Sequence, residues 1–454
     1  MSNTIFLKIR IAIILAGFLG PALMAQQPKL TLPQAVAVAL EKNPAKKMAA
    51  SDLAIADAGL RLSRAPLLPQ IGFSENVTRG NDPVYAFGTK LRQQMFQASD
   101  FGLNSLNRPS PLNNFVTSFS GRWMAFDSLH TQFQIKRASF LKESVASSTD
   151  RTDQEVIYAV VSAYESVLIA VREVQVAKHV LETAQALYGL SRQRVDAGLT
   201  VESDVLSAQV NLAMRQQEMI QAQGAQETAW VELEAAMGIE LQPGPDTLEQ
   251  LSEHIFSSAA LADEVEQAFK NRPDLKSLFL QTSAQRTAVK SVKSEFGPRV
   301  DAFGSWQTDR QSFAGAGGND WTVGAEIRLD LLPFEKRTRL QQEKASLMRA
   351  QANQESARNA IRVEVSRAYF GLRSAGQMVE VARSTVAQAA ESLRILRNRY
   401  EAGLVPLTDV LRAEDADRQS QTVYWRAVYR NALSYAALRL ATGTLNAPEV
   451  VKFQ

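Results

Sequence analysis

The chain contains no cysteine. This absence excludes disulfide bonds, thiolate metal sites, cysteine nucleophiles and a lipid attached to an N-terminal cysteine. Histidine is scarce, and the three histidines (His130, His179 and His254) form no His-x-x-x-His pair, so a zinc or two-histidine iron site is not expected. An excess of one charge is also missing, because 50 Lys and Arg face 47 Asp and Glu. That balance argues against a dedicated nucleic-acid binder.

A catalytic constellation is missing as well. Acidic pairs abound, but at helical spacing among Lys and Arg they are typical of solvated helix faces. The glycine-rich segment 315–318 precedes a strand pattern rather than a helix, so it predicts a turn and not a phosphate loop. We therefore predict a protein that is not an enzyme and that has no cofactor and no resident metal.

Long hydrophobic runs are missing, with one short exception at the N-terminus. Lys8 and Arg10 precede an apolar run over residues 11–20, and Ala25 ends a plausible cleavage site. This pattern is typical of a secretory signal peptide over residues 1–25, although an uncleaved anchor is the alternative. No other stretch is apolar enough to span a membrane as a helix. We therefore expect an exported protein, with any membrane insertion made by β-strands.

The chain carries an internal repeat. Ala-Gly-Leu at 197–199 is followed by Asp204-Val205, and the same pattern recurs 205 positions later at 402–404 with Asp409-Val410. Nearer the front, Asn43-Pro44 matches Arg272-Pro273 at a spacing of 229. The register predicts two structural repeats, residues 26–250 and 251–454. The first repeat is longer by 229 − 205 = 24 residues, and most of these fall in the Pro-, Asn- and Gly-rich stretch 81–114, which is typical of a long loop.

Each repeat has two kinds of segment. Proline is absent from residues 112–242 and 334–405, where helix-compatible residues dominate. The stretch 131–196 alone predicts a helix of about 100 Å, which must lie against other long helices, as in a coiled coil or a helical barrel. Each repeat also predicts a helix and a strand pair ahead of its two long helices.

The strand segments alternate with a period of two. Apolar residues from Trp321 to Leu329 alternate with polar and charged ones, and Phe115 to Trp123 behaves likewise, which fits strands with one face in lipid and one in water. Segments 71–79 and 300–309 are weaker partners. Three tryptophans near strand ends are candidates for the membrane interface: Trp123, Trp306 and Trp321. A soluble sheet with one wet face is the alternative.

The duplicated pattern resembles the TolC-like outer-membrane efflux proteins. Besides the repeated Ala-Gly-Leu and Asp-Val pattern, the segment Leu32 to Pro44 is typical of that family, and the resemblance covers nearly the whole chain after the leader. It implies a mainly α fold with a small membrane β part. Three chains would contribute four strands each to a 12-stranded barrel in the outer membrane, continued by a long α-helical barrel across the periplasm.

The resemblance also implies a function and partners. The protein would be the passive exit duct of a tripartite efflux or type I secretion system, fed by a periplasmic adaptor and an inner-membrane RND, ABC or MFS transporter. The alternative is a non-conducting envelope scaffold of long helices. The substrate (drug, metal or protein) stays open, as does the question of whether the insertion 81–114 plugs the barrel mouth or only decorates it.

The repeated motif predicts where the long helices reverse. Glycine tolerates the left-handed conformation that ends helices, so Gly198 and Gly403 predict the two turns. Thr200 predicts an N-cap for the first returning helix, and Pro406 predicts the first helical position of the second. In a purely structural interpretation, Asp204 and Asp409 occupy first turns, where a carboxylate meets the positive end of the helix dipole.

The resemblance suggests a further role for these turns. They would form the periplasmic tip, contact the adaptor and place a ring of carboxylates near the constriction. Tyr400 and Asp409 match the family pattern, whereas Val405 stands where the best-known member has Arg, and Arg412 stands where a second Asp would fall. The tip must therefore be latched differently, and one hypothesis pairs Arg412 with a carboxylate of a neighbouring hairpin. The candidate tip residues are Gly198, Leu199, Thr200, Asp204, Tyr400, Gly403, Leu404, Val405, Asp409 and Arg412.

Overall fold

The computed structural model describes residues 30–240, 248 and 252–453, and the predicted signal peptide lies outside them. Within the described residues, the order helix, helix, strand, strand, long helix, helix occurs twice. The first half contains α1 (Leu32–Lys42), α2 (Pro44–Ser63), β1 (Gln70–Gly80), α3 (Pro83–Arg92), α4 (Leu103–Asn107), β2 (Leu112–Phe126), α5 (His130–Asp196) and α6 (Glu202–Met237). The second half contains α7 (Leu261–Asn271), α8 (Pro273–Ser294), β3 (Arg299–Arg310), β4 (Gly317–Arg328), α9 (Phe334–Glu401), α10 (Leu407–Ala441) and α11 (Ala447–Val450).

Two helices set the length of the molecule. The α5 helix has 67 residues and α9 has 68, so each is about 100 Å long at 1.5 Å per residue. This confirms the long helix predicted over 131–196. Towards one end, α6 packs on α5 and α10 packs on both α5 and α9, while α2 and α8 lie against α5 near the sheet, with α8 also contacting α9. The result is an elongated rod with a sheet at one end.

The core lies in the middle of this rod. There α5 is buried on most of its sides between Val156 and Ala170, and the hydroxyl of Tyr164 donates to the Leu30 carbonyl at 2.8 Å. By length and composition alone, α5 contains a window apolar enough to cross a membrane, but most of that window is buried inside the protein. The expectation that no helix beyond the leader passes this test was therefore wrong. The apolar residues of α5 fill a core.

The sheet contains four antiparallel strands in the order β1-β2-β3-β4. Its register is continuous apart from one irregularity between Met124 and Phe126 in β2. The insertion between β1 and β2 was predicted to be a long loop, and that prediction was incomplete. Residues 83–92 and 103–107 are helical. The first of these helices starts at Pro83, which follows an Asp82 N-cap whose carboxylate accepts from the Tyr85 amide at 2.8 Å.

The two short-helix junctions are held by equivalent contacts made from different residues. Asn43 donates to the Ala236 carbonyl at 2.8 Å, and Arg272 donates to the Ala441 carbonyl at 3.0 Å. Next to these carbonyls, Gly238 and Gly443 have φ values of +71° and +70°. A Cβ at Gly443 would lie 2.8 Å from the Arg272 Cα. These glycines let the returning helices end directly against the junctions.

We therefore expect Gly443→Ala to destabilise the protein. The left-handed conformation alone costs an alanine about 1–2 kcal/mol, and the backbone contact with Arg272 adds to this. Thermal unfolding in detergent, followed by circular dichroism, should show a lower melting temperature. Gly224→Ala is the matched control, because that site is helical and has no neighbour within 4 Å, so alanine should be neutral or stabilising. Equal melting temperatures for the two variants would contradict the argument.

One ionisable group lies in the core without compensation. Glu165 on α5 is 3% exposed, and its Oε2 has no hydrogen-bond partner. Burial raises the pKa of this carboxyl to about 8. Glu165 is therefore mainly neutral in the folded protein at neutral pH, and nothing in the sequence pattern predicts this.

The Glu165 pKa predicts a pH dependence of stability. Below about pH 4.5 the carboxyl is protonated whether the chain is folded or not, so it carries no penalty. As the pH rises towards 8, the unfolded chain releases a proton that the folded chain retains, and at pH 7 this costs about 3 kcal/mol. We expect Glu165→Gln to raise the melting temperature at pH 7 but not at pH 4. The exposed Glu155→Gln on the same helix should change neither, and a pH-independent effect of Glu165→Gln would refute the assignment.

Candidate functional sites in the sheet and at the hairpin tip

The sheet has one apolar face and one polar face. Phe73, Phe119, Trp306 and Trp321 lie opposite one another across the four strands. The neighbouring rung on the other face contains Ser74, Ser118, Gln307 and Asp320. Large apolar side chains on the first face stay open to the surroundings, and Trp321 and Val323 are each 75% exposed. The alternation predicted for the strands therefore runs across the whole sheet.

Two residues that interrupt the predicted pattern have partners. Glu75, on the apolar face, accepts from the Thr117 hydroxyl and lies 3.4 Å from Arg310. Arg310 also donates to Thr117, so the charges of Glu75 and Arg310 compensate each other near the outer end of the sheet. Phe303 lies on the polar face, where its ring occupies the space above Gly324.

The tryptophans occupy two levels of the apolar face. Trp123 lies near the helical end of β2 and donates from its indole to the Leu67 carbonyl at 3.1 Å. Trp306 and Trp321 pair with each other one level further out, about 13 Å away along a strand. Exposed apolar residues next to β4 were not among the predicted interface residues: Leu331, Leu332 and Phe334. The sequence signal for this exposed apolar surface was the Leu-Leu-Pro-Phe run at 331–334. Which level meets the membrane surface stays a prediction.

Both long turns have the same geometry. Gly198 and Gly403 have φ values of +71° and +78°. The Leu199 amide donates to the Arg194 carbonyl at 2.8 Å, and the Leu404 amide donates to the Arg399 carbonyl at 2.9 Å. These bonds close the ends of α5 and α9 in the way glycine-terminated helices favour. Leu199 and Leu404 are left exposed at the extremity, 68% and 74% respectively.

Two predicted helix starts were wrong by one residue. The N-cap of α6 is Val201 rather than Thr200, and Pro406 is the N-cap of α10 rather than its first helical residue. The Thr200 hydroxyl donates to the Asp204 carboxylate, so it is engaged by a side chain in the first turn and caps no backbone amide. Asp204 and Asp409 do lie in the first turns, as predicted.

Tyr400 lies in a small apolar cluster where the two turns meet. Its ring is 3% exposed among Leu187, Leu407 and Val410, and Val405 packs against the same cluster. Burial raises the pKa of the Tyr400 phenol, with Arg194 opposing and Asp204 adding to the shift. The phenol oxygen has no hydrogen-bond partner.

Arg194, which the sequence analysis did not single out, connects the two hairpins. It donates to the carbonyls of Tyr400 and Glu401 at 3.0 and 3.1 Å, and its guanidinium lies over the Tyr400 ring at 5.0 Å. A second connection lies further up, where Arg215 on α6 bonds Asp415 on α10 at 2.5 Å. Neither arginine belongs to a sequence pattern that predicts these contacts.

Arg412 lies on the surface of the tip. It is 3.7 Å from Asp409 one turn earlier on α10, and its side chain is 83% exposed. The pairing with a neighbouring hairpin therefore stays a prediction. Among the described residues, no cluster of His, Asp or Glu is arranged to hold a metal ion.

The sequence of this chain matches a known protein family over most of its length. The sequence profile of the family described as outer membrane efflux protein matches residues 35–239 and 265–444. The chain belongs to the outer membrane efflux protein family. As a member it is an outer-membrane channel protein, as the resemblance implied.

Individual relatives agree with the family assignment. CyaE of Bordetella pertussis is 25% identical over 429 residues, which cover 92% of this chain and 84% of CyaE. AprF of Pseudomonas aeruginosa, named an alkaline protease secretion protein, is 22% identical over 90% of this chain and 83% of its own. The crystal structure of the CmeC outer membrane channel of Campylobacter jejuni superposes with a TM-score of 0.74 at 16% identity, covering 93% of this chain and 88% of CmeC. The last likeness concerns the fold alone.

We expect the connection between the two hairpins at the tip to depend on Arg194. Arg194→Gln removes the charge from two hydrogen bonds between the hairpins and should weaken their connection by about 1–3 kcal/mol. Hydrogen–deuterium exchange of residues 196–204 and 400–407 should then be about 10-fold faster. Arg399→Gln is the matched control, since Arg399 occupies the equivalent place on the other turn and is exposed. If both variants exchanged at the rate of the unmodified protein, Arg194 would not hold the hairpins together.

Proposed function

We propose that three copies of this chain close one 12-stranded barrel that serves as the outer-membrane end of an export duct. The observation that carries this proposal is a two-faced sheet whose edge strands, β1 and β4, lack partners on their outer sides within the described chain. Open backbone edges are not tolerated in hydrocarbon, and four strands are too few to close a barrel. Edge pairing between copies satisfies both requirements.

The long helices would continue this duct across the periplasm. In this proposal the halves 26–250 and 251–454 are two repeats, so six helical hairpins surround the tunnel. The turns lie about 100 Å from the sheet, at the far ends of α5 and α9. There Gly198, Leu199, Gly403 and Leu404 would meet the adaptor. Exposed leucines beside glycines offer an apolar contact without bulky neighbours.

The gate at this end would depend on the remaining tip residues. Asp204 and Asp409 would place two carboxylates per chain near the constriction and favour cations there. Tyr400 and Val405 would support the closed tip from its apolar cluster, with Thr200 fixing Asp204 and with Arg412 facing a neighbouring hairpin. Export of the chain to this location would use the signal peptide at residues 1–25.

We propose a polypeptide as the cargo, delivered by an ABC transporter through a periplasmic adaptor. AprF, which aligns along nearly the whole chain, is named for protease secretion. Small-molecule or metal efflux by an RND or MFS pump is the second candidate, since the matching family is described as outer membrane efflux proteins.

In-cell cross-linking tests the partners. The full-length protein would be captured after cross-linking, and co-purifying proteins would be identified by mass spectrometry. We expect an adaptor together with an ABC transporter. An RND or MFS pump in its place would overturn the polypeptide assignment while supporting the duct. Recovery of neither an ABC transporter nor an RND or MFS pump would count against the proposed export duct.

A second measurement separates a duct from a non-conducting scaffold. We expect the protein to co-migrate with integral outer-membrane proteins on a density gradient after carbonate washing, and the purified protein to form channels in planar bilayers. A protein released by carbonate that gives no conductance would be a scaffold. The variant Trp321→Asp, on the apolar face, should reduce membrane recovery, whereas Asp320→Asn on the polar face should not.

A further inference from the structure

The insertion between β1 and β2 is anchored on the polar face of the sheet. Gln93, at the end of α3, donates to the side chain of Asn114 at 2.9 Å, and Asn114 donates to Asp309 at 2.6 Å. Gln307 donates to the second oxygen of Asp309 at 3.1 Å, so this buried carboxylate has partners on both oxygens. Asn114, Gln307 and Asp309 all occupy polar-face positions of their strands.

Glycine permits the closest contact between α3 and the sheet. A Cβ at Gly318 of β4 would lie 1.9 Å from the carbonyl oxygen of Arg92, the last residue of α3. The ring of Tyr85 covers Gly80 of β1 in the same way, with its carbon 3.3 Å from a Cβ built there. Both contacts lie on the polar face, so α3 crosses the outer end of that face from β1 to β4.

The α3 helix turns its apolar side away from the sheet. The side of α3 that faces the sheet is almost completely buried and contains Ala86, Thr89 and Gln93. On the opposite side Val84, Phe87 and Leu91 are 81%, 36% and 49% exposed. Their spacing of three and four residues makes one continuous helical stripe. Apart from the contact of Phe87 with Phe96, this outward-facing apolar stripe is left uncovered within the described chain.

Contacts inside the insertion hold this arrangement. Phe96 packs edge-on against Phe87 and Phe101, with ring centroids 4.8 and 5.2 Å apart, and Lys90 pairs with Asp100 at 2.8 Å. The insertion is therefore a folded unit, and these contacts fix the orientation of the apolar stripe on α3.

We propose that the α3 stripes of three copies meet in the barrel lumen and form an apolar constriction at the outer mouth. This inference rests on the proposed trimeric duct, in which the polar face lines the lumen and one axis relates the copies. A helix with its side chains is about 10–12 Å across, so each α3 projects that far from the wall. The occupant of each stripe is the same stripe of the other two copies. The constriction passes small solutes and extended chains and excludes bulky ones.

The test uses the absence of cysteine from the chain. Ser120→Cys places a unique thiol on the polar face of β2, on the helical side of the insertion. A small methanethiosulfonate reagent and a bulky polyethylene glycol maleimide are then added outside intact cells. We expect the small reagent to label this thiol when the constriction is unmodified. The bulky reagent should label it slowly in that case, and severalfold faster in variants whose constriction is opened.

Three changes should open the constriction, and two control substitutions should preserve it. Leu91→Asp puts three like charges at the axis, Gly318→Val pushes α3 off the wall, and replacing residues 81–111 by Asn-Gly joins the paired residues Gly80 and Leu112 by a tight turn. Each should speed bulky labelling and raise single-channel conductance severalfold. Ser312→Asp in the β3–β4 turn and Gly304→Ala on the apolar face are matched controls and should do neither.

The outcomes separate this proposal from the proposed duct. If the bulky reagent labelled the unmodified protein as fast as the Asn-Gly variant, the constriction would be refuted and the duct kept. If even the small reagent failed to label the Asn-Gly variant and no conductance was found, the duct itself would be refuted, and the constriction with it.

Discussion

Backbone amides and carbonyls in hydrocarbon must find their partners within protein, and this requirement shapes the molecule. One chain supplies four strands with exposed apolar side chains on one face. Within its described residues, the backbone groups along the outer edges of β1 and β4 are unpaired. Such a sheet is an aggregation hazard on its own. In the proposed trimer, closure with identical copies would convert both edges into ordinary antiparallel ladders. The polar face would then be enclosed and would line a lumen.

The helical part depends on length matching. Since α5 and α9 differ by one residue, their glycine turns reach the same level and can be connected side by side. Arg194 and Arg215 make those connections through hydrogen bonds and an ion pair, where a continuous apolar core is lacking. Between the central core and the turns, the rod is thus held by a few polar contacts and by the small apolar cluster around Tyr400. In the proposed duct, so few contacts would let this end open at low cost.

The strands and turns could be predicted because their signals are local. Period-two alternation follows from the pleat, and Gly198 and Gly403 follow from the left-handed conformation. Other features depend on distant residues. The α3 helix ends where Gln93 donates to the sheet, and Asn43 and Arg272 make the same contact with unlike side chains. No single-sequence pattern encodes such long-range partners.

The two hairpins have the same backbone but different chemistry at their ends. In one turn Asp204 is held by Thr200 and adds to the pKa shift of Tyr400, while in the other Asp409 lies beside Arg412. Glu165 on α5 corresponds to the exposed Phe370 on α9, so the helices also differ along their length. In the proposed trimer, a ring of six such hairpins would alternate in chemistry around its axis. Its symmetry would be threefold, so neighbouring hairpins of different chemistry would be able to move separately at the tip.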